Sequence, residues 1–168
     1  MDQTKLDQLF LQTLAFFREH PAQVQHFVKV HGFASQIGRL EGLSEAEQFT
    51  LEAAALVHDV GILPAEQKYG SCSGKLQEQE GPPVAAALLS SLQFPPAVTE
   101  RVAYLVGHHH TYTDIDGTDY QILVEADFLV NLFDGHTPKE QIETTGKTIF
   151  RTKAGRKLLS EMFGVTVE

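Results

Sequence analysis

The sequence contains a single cysteine, Cys72, among its 168 residues. One cysteine excludes an intrachain disulfide and a zinc site built on several cysteines. Apolar runs of about 20 residues, which a membrane-spanning helix requires, are also missing. The N-terminal residues are polar before they become apolar, and they include no basic segment followed by a small-residue cleavage site. Together these absences predict a cytoplasmic protein that does not enter a membrane.

Positive charge is scarce. Lysine and arginine together number 13 against 22 aspartates and glutamates, which gives a formal net charge of −9. This balance disfavours binding to long nucleic acids or to anionic membranes, because both attract net positive charge. A small anionic substrate stays compatible with it, provided that a local cation or metal ion faces the anion. The length predicts one domain covering residues 1–168.

Apolar residues recur at steps of three and four along most of the chain, which predicts an all-α bundle of about seven or eight helices. Ser44 and Glu47 have the spacing of a capping box at the start of an almost wholly apolar helix that ends before Gly61. Residues 64–79 are polar and predict a long loop, followed by a helix that opens at Pro82.

Polar residues with metal-binding chemistry interrupt this apolar pattern. His58 and Asp59 stand side by side at the end of the apolar helix, where a helix terminus lets both side chains reach one ion. His26 shares the core-facing stripe of its helix, although a histidine in such a place can also be a core residue with a hydrogen-bond partner. Asp127 lies in an apolar helix, where an unpaired carboxylate would cost several kcal/mol to bury. Mixed nitrogen and oxygen ligands suit Fe, Mn, Zn, Ni or Co better than Mg²⁺.

These residues resemble the pattern of the HD superfamily of metal-dependent phosphohydrolases. The matching segments are QHFVKVHGFA with His26, AAALVHDVGI with His58 and Asp59, and EADFLVN with Asp127. The resemblance covers about residues 20–135 and leaves flanking helices at 1–19 and 137–163 outside. It implies an all-α fold and hydrolysis of a phosphomonoester or phosphodiester, with a nucleotide as the expected substrate and a metal-activated water as the nucleophile.

Some branches of that family bind two metal ions through additional histidines, so one or two ions per chain are expected. The apolar spacing of Val102, Leu105 and Val106 predicts that His109 faces the core, with His110 the next candidate ligand. Further roles are expected for the residues near these positions. Asp59, His109 and Glu80 are the candidate catalytic residues, and Lys68, Lys75 and His108 are the candidate substrate-binding residues.

Other interpretations stay open at this level. Glu80 can equally be an acid favoured by a helix dipole, and the two lysines can be solvated loop charges. A dinuclear iron oxygenase of the same fold is one alternative function, and a non-catalytic metal- or nucleotide-binding module is another. The oligomeric state is undetermined, with a homodimer among the options.

Overall fold

The centre of the structure is a buried helix that runs from Glu45 to Val57. The computed structural model describes residues 2–167, and every residue from Phe49 to Val57 is buried in it. Burial of large apolar side chains such as Leu51 and Leu56 contributes about 1.5–3 kcal/mol each. The buried central helix predicted from the sequence is therefore confirmed.

The all-α fold is confirmed as well, since residues 2–167 contain helices and no β-strand. The helices of this range are α1 (Gln3–Phe16), α2 (Pro21–Glu41), α3 (Glu45–Val57), α4 (Ile62–Tyr69), α5 (Gly74–Ser91), α6 (Pro96–Val106), α7 (Thr118–Asp134), α8 (Lys139–Thr148) and α9 (Lys153–Phe163). Among the described residues, none of these helices combines the length and the apolar character needed to cross a membrane.

Helix α3 packs against α1, α2, α6 and α7. Helix α2 also lies along α7, while α5 packs on α4 and α6 at the side. The C-terminal pair α8 and α9 contacts the rest of the bundle through α9, which touches α2 and α7. This arrangement brings the end of α3, the end of α6 and the facing sides of α2 and α7 to one region.

The start of α3 carries the predicted capping box. The Ser44 hydroxyl oxygen accepts from the Glu47 amide at 3.3 Å, and the Glu47 carboxylate accepts from the Ser44 amide at 3.0 Å. Two amides that lack a partner inside the helix are satisfied in this way. The cap fixes where α3 begins and therefore which residues arrive at its buried end.

The prediction of a long loop over residues 64–79 is wrong. Helix α4 occupies its first part, and α5 begins at Gly74, eight positions before the expected start at Pro82. Pro82 and Pro83 lie inside α5, where an interior proline costs about 3 kcal/mol because it lacks an amide hydrogen and crowds the preceding turn. Packing of α5 on both α4 and α6 compensates for that cost, and local sequence does not reveal such packing.

Two glycines allow α5 to approach the turn after α3 closely. Gly61 has a φ of −74°, so its backbone conformation does not require glycine. A β-carbon on Gly61 would lie 2.9 Å from the Gly81 amide nitrogen, and one on Gly81 would lie 2.6 Å from a methyl group of Val106. Gly61 therefore needs glycine because the backbone of α5 lies against the α3–α4 turn, and Gly81 needs it because Val106 of α6 packs against its α-carbon.

A buried carboxylate links α3 to α2. Glu52 accepts hydrogen bonds from the Ser35 hydroxyl and the Gln48 amide, both at 2.7 Å, and its second oxygen lies 3.2 Å from His31 Nε2. Burial raises the pKa of Glu52, but the hydrogen bonds from His31, Gln48 and Ser35 outweigh it and lower the pKa to about 2. Glu52 thus stays ionised in the folded protein well below neutral pH.

We expect Glu52→Gln to destabilise the protein most at neutral pH. The folded-state pKa of about 2 lies below the ordinary value of 4.5, so the carboxylate contributes stability above pH 4.5 that is lost as the pH falls towards 2. The difference in urea midpoint between wild type and variant should therefore change little between pH 7 and pH 5 and shrink as the pH falls from 4.5 towards 2. A difference that stays constant as the pH falls below 4.5 would contradict the assigned role of the charge.

Candidate metal centre

Three helices direct histidine and aspartate side chains into one cluster. His26 of α2 has its Nε2 atom 3.0 Å from Asp127 Oδ1 of α7 and 3.2 Å from Asp59 Oδ2 at the end of α3. The same atom lies 3.1 Å from His58 Nε2. His58 caps the C-terminus of α3, and Asp59 follows in the turn before α4. The structure thus places together all four residues that the sequence pattern connects.

The cluster is buried and strongly charged. His58 is fully buried, and Asp127 and Asp59 are only 3% and 8% exposed. Burial raises the pKa of both carboxyls, but neighbouring histidines outweigh this effect. His58 and His109 hold the pKa of Asp59 well below its usual range. His26 and His58 do the same for the pKa of Asp127. Burial lowers the pKa of His58, and the two carboxylates more than reverse this effect. Positive charge is therefore required between the carboxylates, and a divalent cation would supply it.

Backbone and amide contacts orient the cluster. The Nδ1–H groups of His58 and His109 donate to the carbonyls of Ala55 and Val106, both at 2.8 Å. In the neutral imidazoles this assignment leaves the Nε2 lone pair directed at the cluster, which is the arrangement metal-ligating histidines adopt. Asn131 donates to Asp127 Oδ1 at 2.9 Å.

A second group of possible ligands shares Asp59 with the first. His109 is fully buried, and its Nε2 atom lies 3.4 Å from Asp59 Oδ1 without a hydrogen-bond partner in residues 2–167. An unpaired buried nitrogen is costly, so a ligand at this atom is expected. His26, His58 and Asp59 form one trio with ligand atoms within 4.8 Å of one another, and Asp59, His109 and His110 form another. The donor set therefore fits two transition-metal ions on either side of Asp59.

His110 stands in the second trio, next to the ring of His109 at a centroid distance of 4.0 Å. Burial lowers the pKa of His110 to about 4, and the neighbouring His109 adds to this effect. His110 is consequently neutral at physiological pH. A neutral imidazole is the form that binds a metal ion.

An open cleft of about 300 Å³ gives access to the cluster. One face of α7 contributes Asp127, Asn131 and Asp134 to its lining, and His26 and Asp59 line it as well. Gln77 and His110 also belong to the lining. Of the described residues that line the cleft, none is a lysine or an arginine. Without bound cations this cleft would repel an anionic substrate.

Comparison with known proteins agrees with the geometry. A family model described as "HD domain" matches residues 24–144, well over half of the chain. This chain belongs to the HD-domain family. A curated relative, the 3'3'-cGAMP-specific phosphodiesterase 3 of Vibrio cholerae serotype O1, is 30% identical over 109 residues. The match covers 64% of this chain but 23% of the phosphodiesterase, so the chain spans under a quarter of that relative's length. No solved structure matches the chain.

Four residues predicted to serve the HD site do not reach it. Glu80 accepts from Lys68 at 3.1 Å and from the Tyr69 hydroxyl at 2.9 Å, in a contact between α5 and α4. Lys75 is exposed at the start of α5. His108 stacks on Tyr104 at a centroid distance of 4.0 Å. None of the four lines the cleft, so the structure does not bring them together with His26, Asp59 and Asp127.

Several residues around the HD site were missed by the sequence analysis. Asn131 lies four positions after Asp127, and Lys29 three positions after His26, so helical spacing could have identified both. Gln77 and Glu78 contact His110, but they fall in the segment that the sequence predicted as a loop. An earlier start of α5 is the signal that would have revealed them.

Proposed function

We propose that this HD domain is a metal-dependent phosphohydrolase that cleaves a phosphomonoester or phosphodiester bond of a nucleotide. The observation that carries the proposal is that Asp59 belongs to both trios of possible ligands and lines an open cleft. We further propose that two divalent ions bind there, drawn from Fe, Mn, Zn, Ni or Co. Histidine nitrogens with carboxylate oxygens suit these ions.

The chain's own residues would hold the ions and orient them. His26, His58 and Asp127 complete one site with Asp59, and His109 and His110 complete the other. Divalent ions so bound lower the pKa of a coordinated water and polarise a phosphoryl oxygen. The carbonyls of Ala55 and Val106 keep two histidines in the ligand tautomer, and Asn131 holds Asp127 in place. Buried surroundings around these groups strengthen their attraction for charge that develops in the reaction.

The nucleotide is proposed from two observations. The name of the Vibrio cholerae relative describes it as a phosphodiesterase specific for 3'3'-cGAMP, which is a dinucleotide. The cleft is of a size that admits a phosphate with its sugar, at the lower end of ordinary ligand sites of about 300–1,000 Å³. Long nucleic acid remains a poor candidate because the chain has a net charge of −9.

Lys29 is the cation proposed to meet the substrate phosphate at the cleft rim. Its Nζ atom lies 3.0 Å from Asp134 Oδ1, and Asp134 lines the cleft. A rearrangement of this half-exposed pair would direct the ammonium group at a phosphate oxygen as a point charge.

We expect Lys29→Met to raise KM about tenfold while kcat changes less than threefold, since the lost contact is made in ground and transition state alike. Lys75→Met, which removes an exposed charge outside the cleft, is the matched control. Steady-state kinetics on one nucleotide substrate measures both. Equal KM values for Lys29→Met and wild type would exclude this lysine from substrate binding.

The proposed activity is tested on protein reconstituted separately with Mn²⁺, Fe²⁺, Zn²⁺, Ni²⁺ and Co²⁺. Each form is incubated with nucleoside monophosphates, a linear dinucleotide and cyclic dinucleotides that include 3'3'-cGAMP. Chromatography of the products and release of phosphate distinguish diester from monoester cleavage. We expect turnover of at least one nucleotide class with at least one metal.

Nucleotide binding and oxygen uptake, measured on the same metal-loaded forms, separate the alternative functions. Binding of a nucleotide without any cleavage, with every metal, would favour a non-catalytic module. Oxygen uptake by the iron form that depends on an organic substrate would favour the dinuclear iron oxygenase. Either result would contradict the hydrolase proposal.

A further inference from the structure

The first turns of α5 hold His110 through three neighbouring residues. The Glu78 carboxylate accepts from the His110 amide at 3.0 Å and from the Thr111 hydroxyl at 2.8 Å. Gln77 Oε1 lies 3.0 Å from His110 Nε2. A β-carbon on Gly74 would lie 2.9 Å from the His110 ring, so the ring rests against the α5 backbone there. Positions 74, 77 and 78 share one face of the helix.

The segment that carries His109 and His110 depends on such external contacts. Helix α6 ends at Val106, and the three consecutive histidines lie in the turn that follows it. From the α7 side, the Tyr120 hydroxyl reaches the His108 carbonyl at 2.7 Å. From the α5 side, Glu78 makes the contacts described above. Because this turn lies outside a regular helix, hydrogen bonds such as these determine where its side chains point. Removal of one of them should therefore change the orientation of the histidines.

Gln77 adds a constraint on the ring itself. Its Nε2 group donates to the Cys72 carbonyl at 2.8 Å, so the Oε1 atom is the one that faces His110. The His110 Nε2–H group therefore donates to Gln77, and the lone pair of the neutral ring stays on Nδ1. Residues that fix the tautomer and orientation of a ligating histidine typically affect metal affinity about tenfold to a hundredfold.

We propose that Glu78 is a positioning residue that sets the His109–His110 turn for metal binding, with Gln77 holding the ring of His110. This inference rests on the proposed function, because it assumes that the trio of Asp59, His109 and His110 binds an ion. Glu78 touches neither that ion nor the substrate. Its effect is transmitted through the backbone amide of His110.

The test is Mn²⁺ binding by equilibrium dialysis on the full chain, for wild type, Glu78→Ala, Glu78→Gln and Gln77→Ala. We expect wild type to bind two ions, one for each trio of ligands. Glu78→Ala should weaken one of them about tenfold to a hundredfold and leave the other unchanged. Glu78→Gln should restore most of the affinity, because its amide oxygen can accept from the same two donors. Gln77→Ala should weaken the same ion about tenfold.

Glu80→Ala is the matched control, since Glu80 lies on the same helix but contacts Lys68 and Tyr69. It should bind both ions as wild type does. Unchanged binding of both ions by a folded Glu78→Ala protein would overturn the inference and leave the proposed function intact. If Glu78→Ala does not fold, wild-type affinity in Gln77→Ala overturns it instead. Absence of any bound ion in wild type would remove the proposed function, and the inference with it.

Discussion

Asp59→Asn is expected to abolish binding of at least one of the two metal ions, to weaken binding of the other, and to lower kcat/KM at least about a thousandfold. The two carboxylate oxygens of Asp59 face different histidines. Oδ2 lies 3.2 Å from His26 Nε2 and 3.4 Å from His58 Nε2, whereas Oδ1 lies 3.4 Å from His109 Nε2. Asparagine keeps the shape but has one oxygen and no charge. It can therefore serve at most one side of the centre, and weakly.

Elemental analysis after dialysis against excess Mn²⁺ measures the ion count directly, and circular dichroism checks that the variant folds. Asp134→Asn is the matched control, because Asp134 lines the same cleft but pairs with Lys29 rather than with a histidine. It should keep both ions. An Asp59→Asn protein that still holds two ions would show that Asp59 does not connect the two trios.

His109→Ala should lose one ion of two and lower kcat about a hundredfold, whereas His108→Ala should change neither. The two residues are adjacent but have different surroundings. His109 is fully buried, and its Nε2 atom has no hydrogen-bond partner among the described residues. His108 stacks on Tyr104, and its Nδ1 group donates to the Tyr104 carbonyl at 2.7 Å.

Thermal unfolding of both variants is measured without metal as a stability control. This control is needed because truncation of a buried histidine also removes packing contacts. The informative result is the difference in bound ions between His109→Ala and His108→Ala after metal loading. Loss of an ion in His108→Ala, or two ions retained in His109→Ala, would reverse the assignment of the second trio.

The sequence predicted the parts of this fold that depend on local pattern. The apolar run from Phe49 to Val57 identified the buried helix, and Ser44 with Glu47 identified its start. The free-energy cost of burying a carboxylate identified Asp127 as a candidate metal ligand, since a carboxylate in an apolar helix needs a partner. The apolar spacing before the three histidines also predicted that His109 faces inward, and the structure buries it completely.

What the sequence could not supply depends on tertiary contacts. Pro82 indicated a helix start because proline is favoured in first turns. Packing on α4 and α6 instead stabilises a helix that begins at Gly74 and passes through the prolines. The displaced start put Glu80 at the expected site and hid Gln77 and Glu78. The true neighbours of His110 were therefore assigned to a loop.

The contact between Gly61 and Gly81 has a consequence for the dimensions of the centre. Gly61 is two residues from Asp59, and Gly81 is one helical turn from the residues that anchor His110. The two main chains pack closely at this point, and because neither glycine has a side chain, no flexible group lies between them. We expect substitutions along the cleft to change which molecule enters, whereas the distance between Asp59 and the residues that anchor His110 should depend on this backbone contact outside the cleft lining.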